Sequence, residues 1–258
     1  MKHIEKRAQE PERLRSYRKQ FPNGTWEKFR HSRANYQEVK QALLADQHGL
    51  CAYCEIEIKE ALHPGQVDDF RVEHFYPKSA SVRGGHNYHL DWRNLLGVCH
   101  GGSQPNVGES EWRFAARHND RSCDVLKGSK DISGRILNPL LLPAQARVFR
   151  FDLDDGRMRV DKKTCPPELR RLAENTIREL NLNAPRLMRM RLEVIRALFD
   201  TEVRYVSDGM EPEEVYELLA EQWLTPDEEG NCLPFFSVMR YYLGDAAEAV
   251  LQRHEYKI

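Results

Sequence analysis

The chain holds 258 residues, of which 40% are hydrophobic and 31% charged. That composition supports a buried core under a heavily charged surface and excludes disorder throughout. A formal net charge of −1 at pH 7 excludes a uniformly polycationic or polyanionic chain, and the length suits one compact body with additions or two small domains.

The charge is unevenly placed. Residues 1–40 carry eleven Lys or Arg against five Glu, a net of +6, whereas residues 200–231 carry eleven Asp or Glu against Arg204 alone, a net of −10. The basic end suits a phosphate backbone, and the acidic stretch suits solvent or a protein partner. The opening MKHIEKRAQE has charge with no apolar core after it, and no stretch approaches the ~18 uninterrupted apolar residues of a membrane span. The sequence therefore predicts a cytoplasmic protein with no membrane association. In a reducing compartment its six cysteines point to metal rather than to disulfides.

Three regions follow in chain order. Residues 1–48 form a predicted basic helical segment, in which YQEVKQALLADQ after Asn35 places Val39, Leu43 and Leu44 on one face. Residues 49–160 are rich in Gly, His, Asp and turn signals, with β-like runs at Phe70–Phe75 and Val148–Phe151, a turn at Asp154–Gly156 and another at Gly84–Gly85. From residue 161 to 258 the pattern is helical again. Leu169, Leu172, Ile177 and Leu180, then Leu187, Leu192, Ile195 and Leu198, recur at three or four residues, with further helices expected over Pro212–Trp223 and Pro234–Glu255.

The middle region carries the chemistry. Cys51-Ala-Tyr-Cys54 has the spacing of a zinc knuckle, because two thiolates flanking a tight turn can face one tetrahedral ion. The second pair is Cys99 and Cys123, separated by 23 residues where two to four are usual. A loop of that size is tolerable because closure entropy grows slowly with length. Replacement of one cysteine by His100 stays open. A site filled by four protein ligands holds Zn²⁺ structurally. Cys165 and Cys232 stand apart and read as buried thiols.

Between the two pairs lies Arg71-Val-Glu-His-Phe-Tyr-Pro-Lys-Ser79, followed by Asn94 in DWRNLLGVC and then by Cys123-Asp-Val-Leu-Lys-Gly128. Phosphodiester hydrolysis needs a base near water, a divalent cation and ligands that leave part of that cation open. His74 supplies the base, and Glu73 and Asp124 supply hard oxygen ligands for Mg²⁺ or Mn²⁺. Asn94 is expected to brace the loop and orient His74. Lys127, Arg71 and Lys78, with Arg83 and Arg93, are candidates for holding phosphate without base readout. His86, His89, His100 and His118 read as loop histidines, and Trp92 and Tyr88 as anchors of the loop before Asn94.

In this order the motifs resemble the zinc-stapled HNH nucleases. More narrowly, Ile4-Glu-Lys6, LCAYCE at 50–55, CHGG at 99–102 and Ile136-Leu-Asn-Pro-Leu140 resemble the HNH component of Septu-type and retron-associated anti-phage systems. The resemblance runs from residue 1 to about 155 and is less specific in the helical tail. It implies an α+β fold with a ββα-metal core, an endonuclease acting on DNA, and an ABC-type ATPase partner. No Gly-x4-Gly-Lys-Ser/Thr loop is present, so ATP dependence would come from that partner. The acidic region 200–231 is the expected docking site. Glu73 stands where many relatives have Asp or His, and Asp124 where many have Asn or His. Both remain oxygen ligands, which leaves the metal preference open. The same site acting on RNA such as tRNA, or a catalytically silent zinc-stapled binding module, are the alternatives.

Overall fold

The first ten residues form no helix but run as an extended strap, and the helices of the segment 1–48 begin at Glu12. Single contacts hold the strap in place. The Ile4 amide donates to the Pro139 carbonyl at 3.0 Å, and the Lys6 ammonium donates to the carbonyls of Trp92 at 2.6 Å and Leu95 at 2.5 Å. Arg7 reaches Asp46 at 2.6 Å. The computed structural model describes residues 1–61, 63–82 and 85–258. Arg83 and Gly84, named above as a phosphate contact and a turn residue, lie outside the described residues.

Helices α1 (Glu12–Gln20), α2 (Trp26–Arg30) and α3 (Arg33–Asp46) follow the strap. Thr25 and Ser32 accept from Lys28 N and Asn35 N, so α2 and α3 each begin on a hydroxyl cap. Val39 and Leu43 are fully buried, and Leu44 is half-buried beside them. Strand β1 (Phe70–His74) pairs antiparallel with β2 (Leu95–Cys99), with Glu73 opposite Leu96 and His74 opposite Leu95. All five residues of β2 are buried. Its sequence, LLGVC, is continuously apolar, so the period-2 alternation that marks a half-exposed strand is absent. The short helices α4 (Ser110–Arg113) and α5 (Asp124–Lys127) come next, then the hairpin β3 (Phe149–Phe151) and β4 (Met158–Val160) around the expected turn.

Helices α6 (Pro167–Glu179), α7 (Pro185–Ser207) and α8 (Pro212–Leu224) each start at a proline, whose fixed φ and missing N–H suit the first turn. Helix α9 (Phe236–Arg253) is kinked at Gly244. No helix among the described residues is long and apolar enough to cross a membrane. The result is a mixed α+β architecture with two small antiparallel sheets.

One apolar cluster gathers Met1 and Ile4 of the strap, the four cysteines, Phe70 and Phe75, the β3–β4 hairpin, and Leu187 and Ile195 of α7. A second joins α1, α2 and α3 to β2 through Leu14, Trp26, Phe29, Leu43 and Leu95. The β3–β4 turn presses directly on α7. A Cβ at Gly156, where φ is +71°, would stand 2.2 Å from the Met188 carbonyl, so only glycine fits.

The edge of β2 away from β1 is met by the Lys6 ammonium at Leu95, by the Ala52 N–H on the Gly97 carbonyl at 3.1 Å, and by one buried amide. The buried Gln47 amide donates to the carbonyls of Leu50 and Gly97 at 2.8 Å each and accepts from Gly97 N at 2.7 Å. It acts as a substitute strand for the middle of β2. Replacing Gln47 by Leu keeps the volume but takes the Gln47 partner from the Gly97 N–H and the Leu50 carbonyl, so the variant is expected to lose about 2 kcal/mol of stability. Urea denaturation of Gln47→Leu against the native chain checks this.

Candidate active site and metal centre

Three separate stretches of chain deliver the four cysteines. The turn after α3 carries Cys51 and Cys54, β2 ends on Cys99, and Cys123 caps α5. Their sulfurs all lie within 4.8 Å of one another and are buried. Cys54 to Cys99 is 3.6 Å and Cys99 to Cys123 is 3.7 Å. A tetrahedron of thiolates about 2.3 Å from zinc has edges of roughly 3.8 Å, so the cluster is compatible with structural zinc. Backbone N–H groups of Cys99 and Gly101 point at the sulfurs of Cys51 and Cys99, as donors around thiolate ligands do.

The 23-residue interval is closed at its base. Ser122 N donates to the Gly101 carbonyl at 2.9 Å, and Ala115 N to the Gly102 carbonyl at 2.8 Å. A Cβ on Gly101, at φ +59°, would sit 2.1 Å from the Ser122 carbonyl, so glycine permits the approach that brings Cys123 to Cys99. Cys123 itself holds a positive φ of 60°. Its N–H is bonded to the Leu180 carbonyl at 2.8 Å. His100 lies outside the cluster, with its Nε2 on the Asp68 carbonyl at 2.8 Å. The cluster that could hold a metal ion is made of the four cysteines, and His100 is not part of it.

A residue of the helical tail completes this centre. Arg186 of α7 is buried, donates to Ser122 Oγ at 2.5 Å, and leaves Nε and Nη1 without a hydrogen-bond partner. Burial works against its charge, but the sulfurs of Cys99, Cys54 and Cys123 outweigh that effect and hold its pKa above the usual value. Nothing in the sequence separates Arg186 from the exposed arginines of the same helix.

Where β1 ends and α5 begins, the oxygen-bearing residues meet. Asp124 accepts from Arg71 Nε at 2.7 Å through Oδ2, while its buried Oδ1 has no partner. Glu73 pairs with the Lys127 ammonium at 2.6 Å, and the same ammonium donates to the His74 carbonyl at 2.9 Å. Burial raises the Glu73 carboxyl, and the charge of Asp124 raises it further, with Lys127 and Arg71 opposing. Asp124 is likewise raised by burial against the pull of Arg71. Two desolvated carboxylates thus stand close, each paired with one cation, and the buried Oδ1 of Asp124 is unclaimed. That arrangement fits a hard divalent cation.

His74 points instead toward the basic helices. Its ring meets Trp26 edge-on at 5.2 Å, and its Nε2 lies 3.2 Å from the His89 carbonyl. A carbonyl only accepts, so Nε2 carries the proton and Nδ1 keeps the lone pair. Burial lowers the imidazole to about 3, so it is neutral at physiological pH.

Asn94 clamps the loop rather than His74. Its Oδ1 accepts from Tyr76 N at 2.7 Å, and its Nδ2 donates to the carbonyls of Tyr76 and Tyr88 at 3.0 and 2.9 Å. The orientation of His74 comes from His89. Lys127 is 1% exposed and faces Glu73. Arg71 is partly exposed beside Asp124, and Lys78 pairs with Glu27 of α2 at the surface. Trp92 is buried beneath the Lys6 ammonium, and Tyr88 stacks on Tyr76. Cys165 and Cys232 are buried and unpaired.

No family model matches this chain. A protein of Escherichia coli named "Retron Ec83 putative HNH endonuclease" is 37% identical to it over 216 residues, covering 76% of this chain and 79% of that protein.

Metal analysis of freshly purified, reduced protein is expected to return about one zinc per chain. Cys54→Ser should lose the zinc and much of the stability, and His100→Ala should keep both. Zinc retained by Cys54→Ser, or lost from His100→Ala, would refute the four-cysteine centre.

Proposed function

The chain belongs to the retron HNH endonucleases, and from that premise we propose that it hydrolyses phosphodiester bonds in DNA with Mg²⁺ or Mn²⁺ held by Glu73 and Asp124. The observation that carries the reading is the buried carboxylate pair with its unclaimed Asp124 Oδ1. In this reading β1, β2 and α5 are the ββα-metal unit, with the zinc staple behind it.

A divalent ion bound there supplies Lewis-acid polarisation of the phosphate and stabilises the leaving oxygen. The chain's own groups do the rest. His74 presents Nδ1 to an attacking water and takes its proton. The His89 carbonyl holds the ring in the one tautomer that leaves Nδ1 free and stabilises the imidazolium that forms. Burial makes the resting ring a weak base, and the negative charge of an approaching phosphate favours its protonated form. Lys127 fixes the Glu73 carboxylate and the end of β1 together. Arg71 spends Nε on Asp124 and has further N–H donors for a phosphate oxygen.

The proposal extends to an anti-phage effector that works with an ABC-type ATPase. Two features support a protein partner on the tail. Glu211, Glu213, Glu214 and Glu217 are exposed at the start of α8, and Phe199, Val203 and Val206 form an exposed apolar stripe on α7. The acidity makes a basic partner surface the complementary one.

Plasmid DNA and total RNA incubated with the protein, alone and with the ATPase, test the activity. Native protein with Mn²⁺ is expected to cut DNA, and His74→Ala and Asp124→Ala to be slower by about 10²-fold or more. Equal behaviour of native and variant proteins under every condition sinks the catalytic reading, and cleavage of RNA alone moves the substrate to RNA.

A further inference from the structure

Arg186 is 4% exposed, and none of its nitrogens meets a carboxylate. Nη2 donates to Ser122 Oγ at 2.5 Å, while Nε and Nη1 have no hydrogen-bond partner. An arginine keeps its proton inside a protein, so a buried one without a counter-charge is costly. Arg191, the other fully buried arginine of α7, donates to the carbonyls of Gly156 and Leu182. Arg186 has no such carbonyls, and its compensation has to come from what surrounds it.

The sulfur cluster surrounds it. Ser122 Oγ, which accepts from Arg186, donates to Cys123 Sγ at 3.6 Å, so guanidinium, hydroxyl and sulfur form one polarised chain. Nearby, a Cβ on Gly102 would meet Arg186 Nε at 3.1 Å, and Cys99, Gly101, Gly102 and Arg186 line one small hollow. Gly102 stands near the start of the interval between Cys99 and Cys123, and Ser122 ends it. One side chain from the helical tail therefore reaches both ends of that interval.

The sulfurs are not supported alike. Cys51 receives the Cys99 N–H at 3.3 Å, and Cys99 receives the Gly101 N–H at 3.4 Å. Cys123 takes its donor from the buried Ser122 side chain. A backbone donor comes with the local fold, whereas this one depends on α7.

We propose that Arg186 is a positioning residue of the metal centre, holding Cys123 in place as a thiolate ligand through Ser122 Oγ and supplying buried positive charge beside the sulfurs. Four thiolates exceed the charge of a divalent ion, and the guanidinium offsets part of the excess. The helical tail is thereby a working part of the staple. The inference stands on the four-cysteine centre and is independent of the nuclease reading.

The test compares the native protein with Arg186→Met, Arg186→Lys, Ser122→Ala and the Arg186→Met/Ser122→Ala double variant. Zinc transfer to an excess of a chromophoric chelator gives the release rate, and loading with Co²⁺ gives the energy of the sulfur-to-metal charge-transfer band. Thr176→Val is the control, because its buried hydroxyl bonds Leu137 N and the Leu172 carbonyl and reaches no sulfur. Thermal melts establish that each variant is folded. Arg186→Met and Ser122→Ala are each expected to release zinc about tenfold faster, as loss of a group behind a metal ligand does. Both should move the band to lower energy, since a thiolate stripped of its donor gives up electron density more readily. The double variant should be no faster than Arg186→Met, because the two residues act as one chain, and Arg186→Lys should recover part of the effect. Thr176→Val should melt earlier with the native release rate and band.

Native release rates and bands in both Arg186→Met and Ser122→Ala overturn the proposal. So does faster release that Thr176→Val matches with no movement of the band, which marks a merely structural role. If Arg186→Met does not fold, Ser122→Ala and Arg186→Lys decide by the same two readouts. Native protein that holds no zinc overturns the proposal together with the staple.

Discussion

Four buried sulfurs, carried by three separate stretches of chain, must share a space 4.8 Å across. Thiols packed this closely without a cation are poorly placed, because burial pushes Cys51 up and each ionised neighbour disfavours the next. A tetrahedral divalent ion bound there would resolve the conflict and turn it into folding free energy. The consequences spread along each contributing segment. The Cys51–Cys54 turn fixes where α3 delivers Gln47 to the edge of β2, Cys99 fixes the end of β2, and Cys123 fixes the first residue of α5. Asp124 follows Cys123 directly, so the staple determines where that carboxylate stands relative to Glu73 on β1.

Charge balance explains the layout on both sides of α5. Behind it, Arg186 faces the sulfurs with two unpartnered nitrogens, and Arg191 is buried one and a half turns further along α7, bonded to the Gly156 and Leu182 carbonyls. In front, Arg71 and Lys127 pair one-to-one with Asp124 and Glu73, and the buried Oδ1 of Asp124 is left without a partner. The rear site is filled by four sulfurs, and the front site keeps one carboxylate oxygen unclaimed. A filled set of four ligands suits structure, and a set with an unclaimed oxygen suits a metal that also takes water or substrate.

Much of this was legible in the sequence, for reasons that differ by element. Helices α3, α8 and α9 follow apolar periodicity, and the motif residues are recognisable because thiolate pairs, a Glu-His pair and an Asn before an apolar run each answer a chemical need. β2 escaped because a fully buried strand has no alternation to read. The strap escaped because Lys6 and Arg7 act through single long-range bonds that leave no period. The pairing of Lys127 with Glu73 was not legible for a related reason, since a lysine one turn from Asp124 looks alike in sequence whether it meets phosphate or Glu73. Arg186 shows the same limit, because burial of an arginine is decided by what packs over it.

The dependence of the front site on the rear one is open to direct measurement by electron paramagnetic resonance of Mn²⁺ titrated into the zinc-loaded protein and into protein stripped of zinc by a thiol-reactive chelator release. The account predicts Mn²⁺ binding in the loaded protein that is lost when zinc is removed and returns when zinc is restored. Mn²⁺ binding of equal affinity in the zinc-free protein would show that Asp124 and Glu73 meet without the staple, and would contradict it.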